Sequence, residues 1–281
     1  TRTSSSAASD VYKRQGEMSR KSRIIIVGSG IVGASTAYHL AQLGWKDMLI
    51  IDQGPLFETG GSTSHAPGGV FQTNPSRMMC KFAQYTVDLL RSLTYEGKPC
   101  FHTVGGIEVS KTKERHEDLY RKLGIAHSYG LTDAKIISPD EVLKMSPFID
   151  PEKIHGGYYV PTDGLAAPVR AVRAMAKYVT DLNAGEFIGD TPVTGFKISN
   201  NQIRGVETPH GEYEADIVLV STGIWAPKMG RLANISLPLV PCEHQMAWLE
   251  PFDELKEFQA EHKEAQVEHA LMRHQDYSLY F

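Results

Sequence analysis

Cysteine is scarce in this sequence. Cys80, Cys100 and Cys242 are the only three, they lie far apart, and none belongs to a C-x-x-C pair. An odd, scattered set excludes a disulfide framework and a zinc site, and a reducing, cytoplasm-like compartment is expected, the mitochondrial matrix if the source is eukaryotic. Charge of one sign is also scarce. A formal net charge of -4 over 281 residues argues against nucleic acid or an anionic membrane as partner. No run of 18 or more apolar residues occurs, so no transmembrane helix is expected. Internal repeats are absent. What is present is a composition of 41% hydrophobic and 22% charged residues. That is ordinary globular usage, able to bury a core, at a length that allows one large domain or two smaller ones.

Residues 1–17 are rich in Ser and Ala, lack apolar periodicity and precede Met18, the first methionine. They read as non-native or disordered, and residues 1–21 are set aside from the fold. Arg20, Lys21 and Arg23 ahead of the apolar Ile24–Ala34 mimic a secretory signal. Gly28, Gly30 and Gly33 break that run as a helix, and a strand followed by a turn explains it better.

Beyond this tail the pattern becomes regular. Arg23–Val27 reads as a short strand of the kind buried in a parallel sheet. Gly28-Ser29-Gly30 is a turn. Ile31–Leu43 has helical spacing, with Ile31, Ala34, Ala37, Tyr38 and Ala41 recurring on one face and Gly44 as the stop. Met48–Ile51 predicts a second strand, with Asp52 at its end, and a Gly-rich loop runs from there to Thr73. Asn74-Pro75 predicts a helix with Asn as N-cap and Pro at the first position, running to about Leu93. Thr112–Leu123 reads as a polar helix, and Ser138-Pro139-Asp140-Glu141 as a capping box opening a short one. A strand at Tyr158–Val160 and a helix from about Ala167 to Leu182 come next. Thr194–Ser199 and Gln202–Val206 predict a hairpin turning at Asn200-Asn201. Ile217–Val220 is again purely apolar and leads into Ser221-Thr222-Gly223. Leu237–Leu249 and the final residues look strand-like.

The first chemical signal is Gly28-x-Gly30-x-x-Gly33. Its context is strand before, helix after, and an acid at the end of the next strand. Gly28 permits the tight turn, Gly30 lets the backbone approach a pyrophosphate, and Gly33 allows helix and strand to pack closely. The helix start at Ile31, Val32 and Gly33 offers N–H groups to phosphate oxygens. Asp52, 24 residues after Gly28, can accept from a ribose, with Gln53 beside it. This fingerprint does not choose between a nicotinamide and a flavin dinucleotide. The segments downstream make the choice: a Gly-rich loop, a long helix and mixed strands, and only then a second glycine-bearing turn at Ser221-Thr222-Gly223. That return suits a flavin fold, with Gly223 as a contact and Trp225 as core or lid.

The second signal is the loop Gly60-Gly61-Ser62-Thr63-Ser64-His65-Ala66-Pro67-Gly68-Gly69. Small residues let backbone pack on a large planar ligand, and hydroxyls can bond phosphate or ribitol oxygens. His65 is its one large reactive side chain, and a lone loop His is more often a surface residue. The run Gly61–Pro75 resembles the flavin loop of the dimethylglycine oxidase family, which includes dimethylglycine and sarcosine dehydrogenases. The resemblance extends through Ile51-Asp-Gln-Gly-Pro55, Val104-Gly-Gly-Ile-Glu-Val109, Val160-Pro-Thr-Asp-Gly-Leu165 and Arg273-His-Gln-Asp276, and covers nearly all of residues 22–281. It implies FAD as cofactor, covalently attached through His65, with Gly61, Ser62, Thr63 and Ser64 as further contacts. It places Val193 at the approach of a hairpin to the adenine. It also implies that His244 and Tyr280 line a substrate pocket, where an unprotonated amine is oriented for hydride transfer to the flavin.

The resulting expectation is an α/β fold. A Rossmann-like FAD-binding domain, residues 22–104 and 161–230, is interleaved with an antiparallel-sheet substrate domain, residues 105–160 and 231–281. Full-length members of the family continue further, with the rest of the flavin domain and a folate-binding region, so an isolated chain of this length is expected to be unstable or inactive. The reaction implied is oxidation of dimethylglycine or sarcosine, with oxygen or an electron-transfer protein as acceptor. Two alternatives stay open: a glycine or D-amino-acid oxidase with non-covalent FAD, and a non-catalytic relative such as the regulatory subunit of pyruvate dehydrogenase phosphatase.

Overall fold

The computed structural model describes residues 20–58, 60–242, 247, 250–261, 269–274 and 279–280. Its first elements are β1 (Arg20–Val27), α1 (Ile31–Gln42), β2 (Met48–Ile51), α2 (Ser62–His65), β3 (Gly69–Val70) and α3 (Arg77–Ser92). Then come β4 (Thr94–Tyr95), β5 (Lys98–Pro99), β6 (Phe101–His102), β7 (Gly106–Ser110), α4 (Lys113–Ser128), β8 (Lys135–Ile137) and α5 (Pro139–Met145). They are followed by β9 (Gly156–Val160), β10 (Gly164–Ala166), α6 (Pro168–Asp181), β11 (Gly185–Ile188), β12 (Gly195–Ser199), β13 (Gln202–Thr208) and β14 (Gly211–Val220). The last are α7 (Ala226–Leu232), α8 (Asp253–Glu261), β15 (Leu271–His274) and β16 (Leu279–Tyr280). The chain divides into two compact units, residues 1–59 with 179–239 and residues 60–178 with 240–281.

The first unit is built on a six-stranded sheet in the order β11-β2-β1-β14-β13-β12. β1 pairs in parallel with β2 on one side and β14 on the other, and β11 continues the parallel part beyond β2. β13 and β12 extend the other edge antiparallel. Both faces of β1 are covered, which is why it reads as an uninterrupted apolar run. Ile26 faces Gly33 of α1. Ile25 and Val27 pack on the opposite side with Leu49, Ile51, Val193, Val206 and Met229. α1 buries Gly33, Ala34, Ala37, Tyr38 and Ala41, a small-residue face that lets helix and sheet approach closely. The Asn200-Asn201 turn is as expected. Both residues have positive φ, 52° and 57°, which matches a two-residue hairpin and favours Asn.

The second unit holds a five-stranded sheet, β16-β15-β7-β9-β8, and a small one, β3-β10-β6. β7, β9 and β8 are antiparallel neighbours, and β15 runs parallel to β7. One core gathers Cys80, Leu119, Ala126, Leu131, Ala134, Tyr158 and Val160; another gathers Ile107, Val109, Ile137, Val142, Ala270 and Met272. The capping box at Ser138 forms in full, each of Ser138 and Glu141 bonding the other's backbone N–H. The α/β expectation, with a parallel dinucleotide-type sheet and an antiparallel sheet interleaved along the chain, is what is observed. The expected flavin-binding segments, 22–104 and 161–230, draw on both units.

Several expected boundaries move, each for a local reason. Arg20 and Lys21 belong to β1 rather than to a tail, because they pair with Tyr213 and Glu214 of β14. β14 itself starts six residues before its apolar run. Its first half alternates acids with Tyr213 and Ala215, and Lys197 pairs with Glu212 and Glu214. The helix expected at Asn74 starts at Arg77, capped by Ser76. Asn74 instead accepts the Ser76 N–H at 2.9 Å, an Asx turn that competes with capping. α4 passes through Gly124 and stops near Gly130, whose φ is 100°. Burial of Ala126 outweighs the roughly 1 kcal/mol that an interior Gly costs a helix. Among the described residues of 237–249 none is in a strand, since Pro238 and Pro241 remove ladder donors.

A Cβ at position 33 would lie 1.9 Å from the Gly28 carbonyl oxygen. Gly33→Ala should therefore cost about 3 kcal/mol through forced separation of α1 and β1. The midpoint of denaturant unfolding reads this directly; an unchanged midpoint contradicts the packing described.

Candidate functional site

In the first unit the chain reverses direction around β1. β2 and β11 lie on one side and β14 on the other, so a crevice opens at the carboxyl ends of β1 and β14, the topological switch point where such sheets take ligands. Two turns meet there. A Cβ on Gly28, whose φ is 105°, would lie 2.5 Å from the Ser221 carbonyl oxygen, and Ser221 N–H donates to Val27 O at 2.8 Å. Gly30 caps α1 with no side-chain bond, and no acid stands in the first helical turn. Val32 is 63% exposed there. The Ser221 and Thr222 hydroxyl oxygens are buried with no hydrogen-bond partner. Buried polar atoms are normally paired. Two orphans beside a glycine turn and an uncapped helix start are a donor set that suits a phosphate-bearing polyol.

Asp52 is buried, and its carboxylate is already held. Oδ2 accepts the Ser29 N–H and the Ser29 hydroxyl, both at 2.7 Å, while Oδ1 has only a long contact from Gly54 N–H at 3.4 Å. One oxygen is therefore spent on the turn and the other left for a further donor. Gln53 is exposed. Asp52 N–H donates to Ile188 O and Thr191 N–H to Asp52 O, at 2.9 and 2.8 Å, which ties the loop after β2 to the loop after β11. Val193 packs its side chain into the core, so only its main chain can meet a ligand. Gly223 has φ 51° with open space where a Cβ would stand, and Trp225 is half-buried. Ser29, Ser221 and Thr222 were not singled out as ligand residues by sequence; Ser and Thr between glycines are too common to signal by themselves.

The second unit carries the other group. Ser62–His65 form a single helical turn behind Gly61. Ser64 Oγ donates to Gly61 O at 3.0 Å, and His65 Nδ1 lies 3.0 Å from Ser64 Oγ and 3.2 Å from Gly61 O. A carbonyl oxygen only accepts, and the Ser64 proton already points at it. The neutral ring is therefore assigned its proton on Nδ1, which leaves the Nε2 lone pair unused. The ring is exposed. A hollow of about 380 Å³ beside Thr63 and Ser64 carries Lys98, Arg170 and Arg173 against one acid, Glu96. A larger hollow, about 560 Å³, lies along Lys21, Lys197, Arg204, Glu207, Glu214 and Asp216 in the first unit. It holds none of the expected site residues, and its Lys21 and Lys197 already pair with its acids.

Behind the His65 loop is a polar cluster that the sequence did not signal. Asp163 Oδ1 accepts the Gln72 N–H at 3.0 Å and Gln72 Nε2 at 2.9 Å. Burial nevertheless raises the Asp163 carboxyl to about 7; the Gln72 bonds and the Lys122 charge oppose this and lose. Tyr158, its hydroxyl 2.7 Å from Thr73 Oγ1, is likewise pushed up by burial, to about 12. Lys122 pairs with the buried Glu108 and lies 5.5 Å from the Tyr158 ring centre. Of the two residues expected in a substrate pocket, Tyr280 falls in β16, opposite Arg273. His244 lies outside the described residues.

A family model described as FAD dependent oxidoreductase matches residues 23–281. Human mitochondrial sarcosine dehydrogenase is 28% identical over 230 residues, 79% of this chain and 24% of the relative. Human mitochondrial dimethylglycine dehydrogenase is 29% identical over 253 residues, 86% of this chain and 28% of the relative. The chain thus spans about a quarter of the length of these curated relatives. Among solved structures, L-proline dehydrogenase from P. horikoshii superposes with a TM-score of 0.69 at 27% identity, covering 78% of this chain and 57% of that one.

Because the folded Asp163 carboxyl sits near 7 and the unfolded one near 3.8, the folded state binds the extra proton between these values. Its contribution to stability is present below about pH 4 and is lost as pH rises through 7, with a slope of at most about 1.4 kcal/mol per pH unit. Asp163→Asn should flatten this part of the stability–pH curve, measured by chemical denaturation between pH 5 and 8. Parallel curves for the two proteins contradict the assignment.

Proposed function

Since the chain belongs to the FAD dependent oxidoreductase family, we propose that it forms the flavin-binding part, and some of the substrate part, of an amine oxidoreductase acting on N,N-dimethylglycine or sarcosine. The bound flavin would supply a two-electron acceptor for the hydride leaving the N-methyl carbon. The observation that carries the cofactor reading is the pair of unpartnered buried hydroxyls, Ser221 and Thr222, against the Gly28 turn. In this reading the N–H groups of Ile31, Val32 and Gly33 meet the diphosphate, with Gly28 and Gly30 clearing its path. Asp52 keeps Oδ2 on Ser29 and offers Oδ1 to a ribose hydroxyl. Gln53 and the main chain of Val193 border the adenosine end, and Gly223 and Trp225 the ring end.

His65 is the proposed covalent anchor, through Nε2, the nitrogen its local bonds leave unprotonated; Gly61, Ser62, Thr63 and Ser64 shape the loop around it. His244 and Tyr280 are proposed to orient the amine in its unprotonated form. The substrate class rests on the likeness to sarcosine and dimethylglycine dehydrogenases. Oxygen or an electron-transfer protein would take the electrons onward, in the cytoplasm or the mitochondrial matrix.

The test is flavin retention through denaturation. Full-length protein that contains this chain should keep its flavin fluorescence on a denaturing gel, His65→Ala should reduce that band to background, and sarcosine or dimethylglycine should bleach the native flavin. Yellow protein that releases intact FAD in acid favours a non-covalent glycine or D-amino-acid oxidase. Bound flavin that no amine bleaches favours a non-catalytic relative.

A further inference from the structure

Asp163 is the most deeply buried acid among the described residues, 2% exposed, and its side-chain partner lies on the segment that follows His65. Gln72 donates to it twice and also to Thr162 Oγ1 at 2.8 Å. Four residues earlier the same segment is pinned again. Ala166 N–H donates to Gly68 O at 2.8 Å, and a Cβ at Gly68, φ 84°, would stand 2.3 Å from Ala166 O. Between these points β3 pairs with β10 over two residues, Gly69 with Leu165 and Val70 with Gly164. A two-residue ladder is too short to hold a register by itself. Two N–H bonds to a buried carboxylate are the stronger tie when it is charged. Gly106 makes room for it, since a Cβ there would lie 2.7 Å from Asp163 Oδ2. The Asp163 main chain joins in, accepting Gly105 N–H at 2.9 Å.

His65 closes its helical turn only three residues before Gly68, a tether of roughly 10 Å at full stretch. We propose that Asp163 is a positioning residue for His65: by clamping Gln72 against β10 it fixes the segment from Gly68 to Thr73 and thereby the reach of the imidazole. The inference rests on the reading of His65 as flavin anchor and adds to it the group that sets the anchor's place.

The experiment compares purified wild-type protein with Asp163→Ala and Asp163→Asn. Three quantities are read: total bound flavin, the fraction surviving acid precipitation, and amide hydrogen exchange across Gly68–Thr73. In Asp163→Ala, which removes both Gln72 hydrogen bonds to the carboxyl, the covalent fraction should fall about tenfold and exchange in that segment rise by a similar factor, with total flavin retained. Asp163→Asn, which keeps an acceptor for Gln72, should recover most of both. A wild-type covalent fraction in Asp163→Ala overturns the inference while leaving the anchor reading intact. Loss of all bound flavin with faster exchange throughout the chain also overturns it, because the role would then be structural only. Wild-type flavin that comes free in acid overturns the anchor reading, and this inference with it.

Discussion

The approach of Gly28 to the Ser221 carbonyl is the constraint from which the first unit takes its form. β1 and β14 run in parallel register from Arg20 to Val27, so the turns at their ends meet with no room for a side chain at position 28. Sheet pairing thus delivers two glycine-bearing turns to one place, and the uncapped start of α1 points out between them. The same closeness sets the chemistry. A polar ligand at these turns would meet two buried hydroxyls without protein partners beside the N-terminus of α1.

The second unit turns on a different balance. Burial of Asp163 opposes its charge, and the Gln72 bonds support it; burial wins, which is why the carboxyl sits near neutrality rather than near 4. A buried acid of this kind is costly as a mere filler, since an apolar residue of similar size would pack without the penalty. Its place makes sense as a clamp, because few side chains accept two N–H groups from one neighbour. The clamp and the glycine turn are alike in one respect. Each holds a loop by a specific contact, a glycine with no room for a Cβ in one case and an acceptor for two N–H groups in the other.

Family membership agrees with this division of labour. The matched region spans nearly the whole chain, and the human relatives are identical at fewer than one position in three. The contacts at Gly28 and Gly33 are made by backbone and leave no room for a Cβ, so geometry rather than side-chain chemistry demands them. Ser29 holds one oxygen of the Asp52 carboxylate through its N–H and its hydroxyl.

What was legible in the sequence was whatever is decided within a few residues. The Asn200-Asn201 hairpin turn, the Ser138–Glu141 capping box and the strand–glycine–helix opening depend on local torsions and on hydrogen bonds three or four residues apart. The dinucleotide-type fold could therefore be read from the chain alone, while the role expected of the His65 loop came from its resemblance to a family. The start of α3 was misread because two local bonds compete at Asn74, and the Asx turn, two residues long, wins over the cap. Tertiary structure alone decided which polar groups meet. Gln72 finds Asp163 ninety-one residues away, Ser29 finds Asp52 at a separation of twenty-three, and the Ser221 and Thr222 hydroxyls are left unpaired only because β14 lands beside β1. Such pairings follow from sheet order, which is set by the burial of many apolar side chains at once. No short stretch of sequence carries that sum.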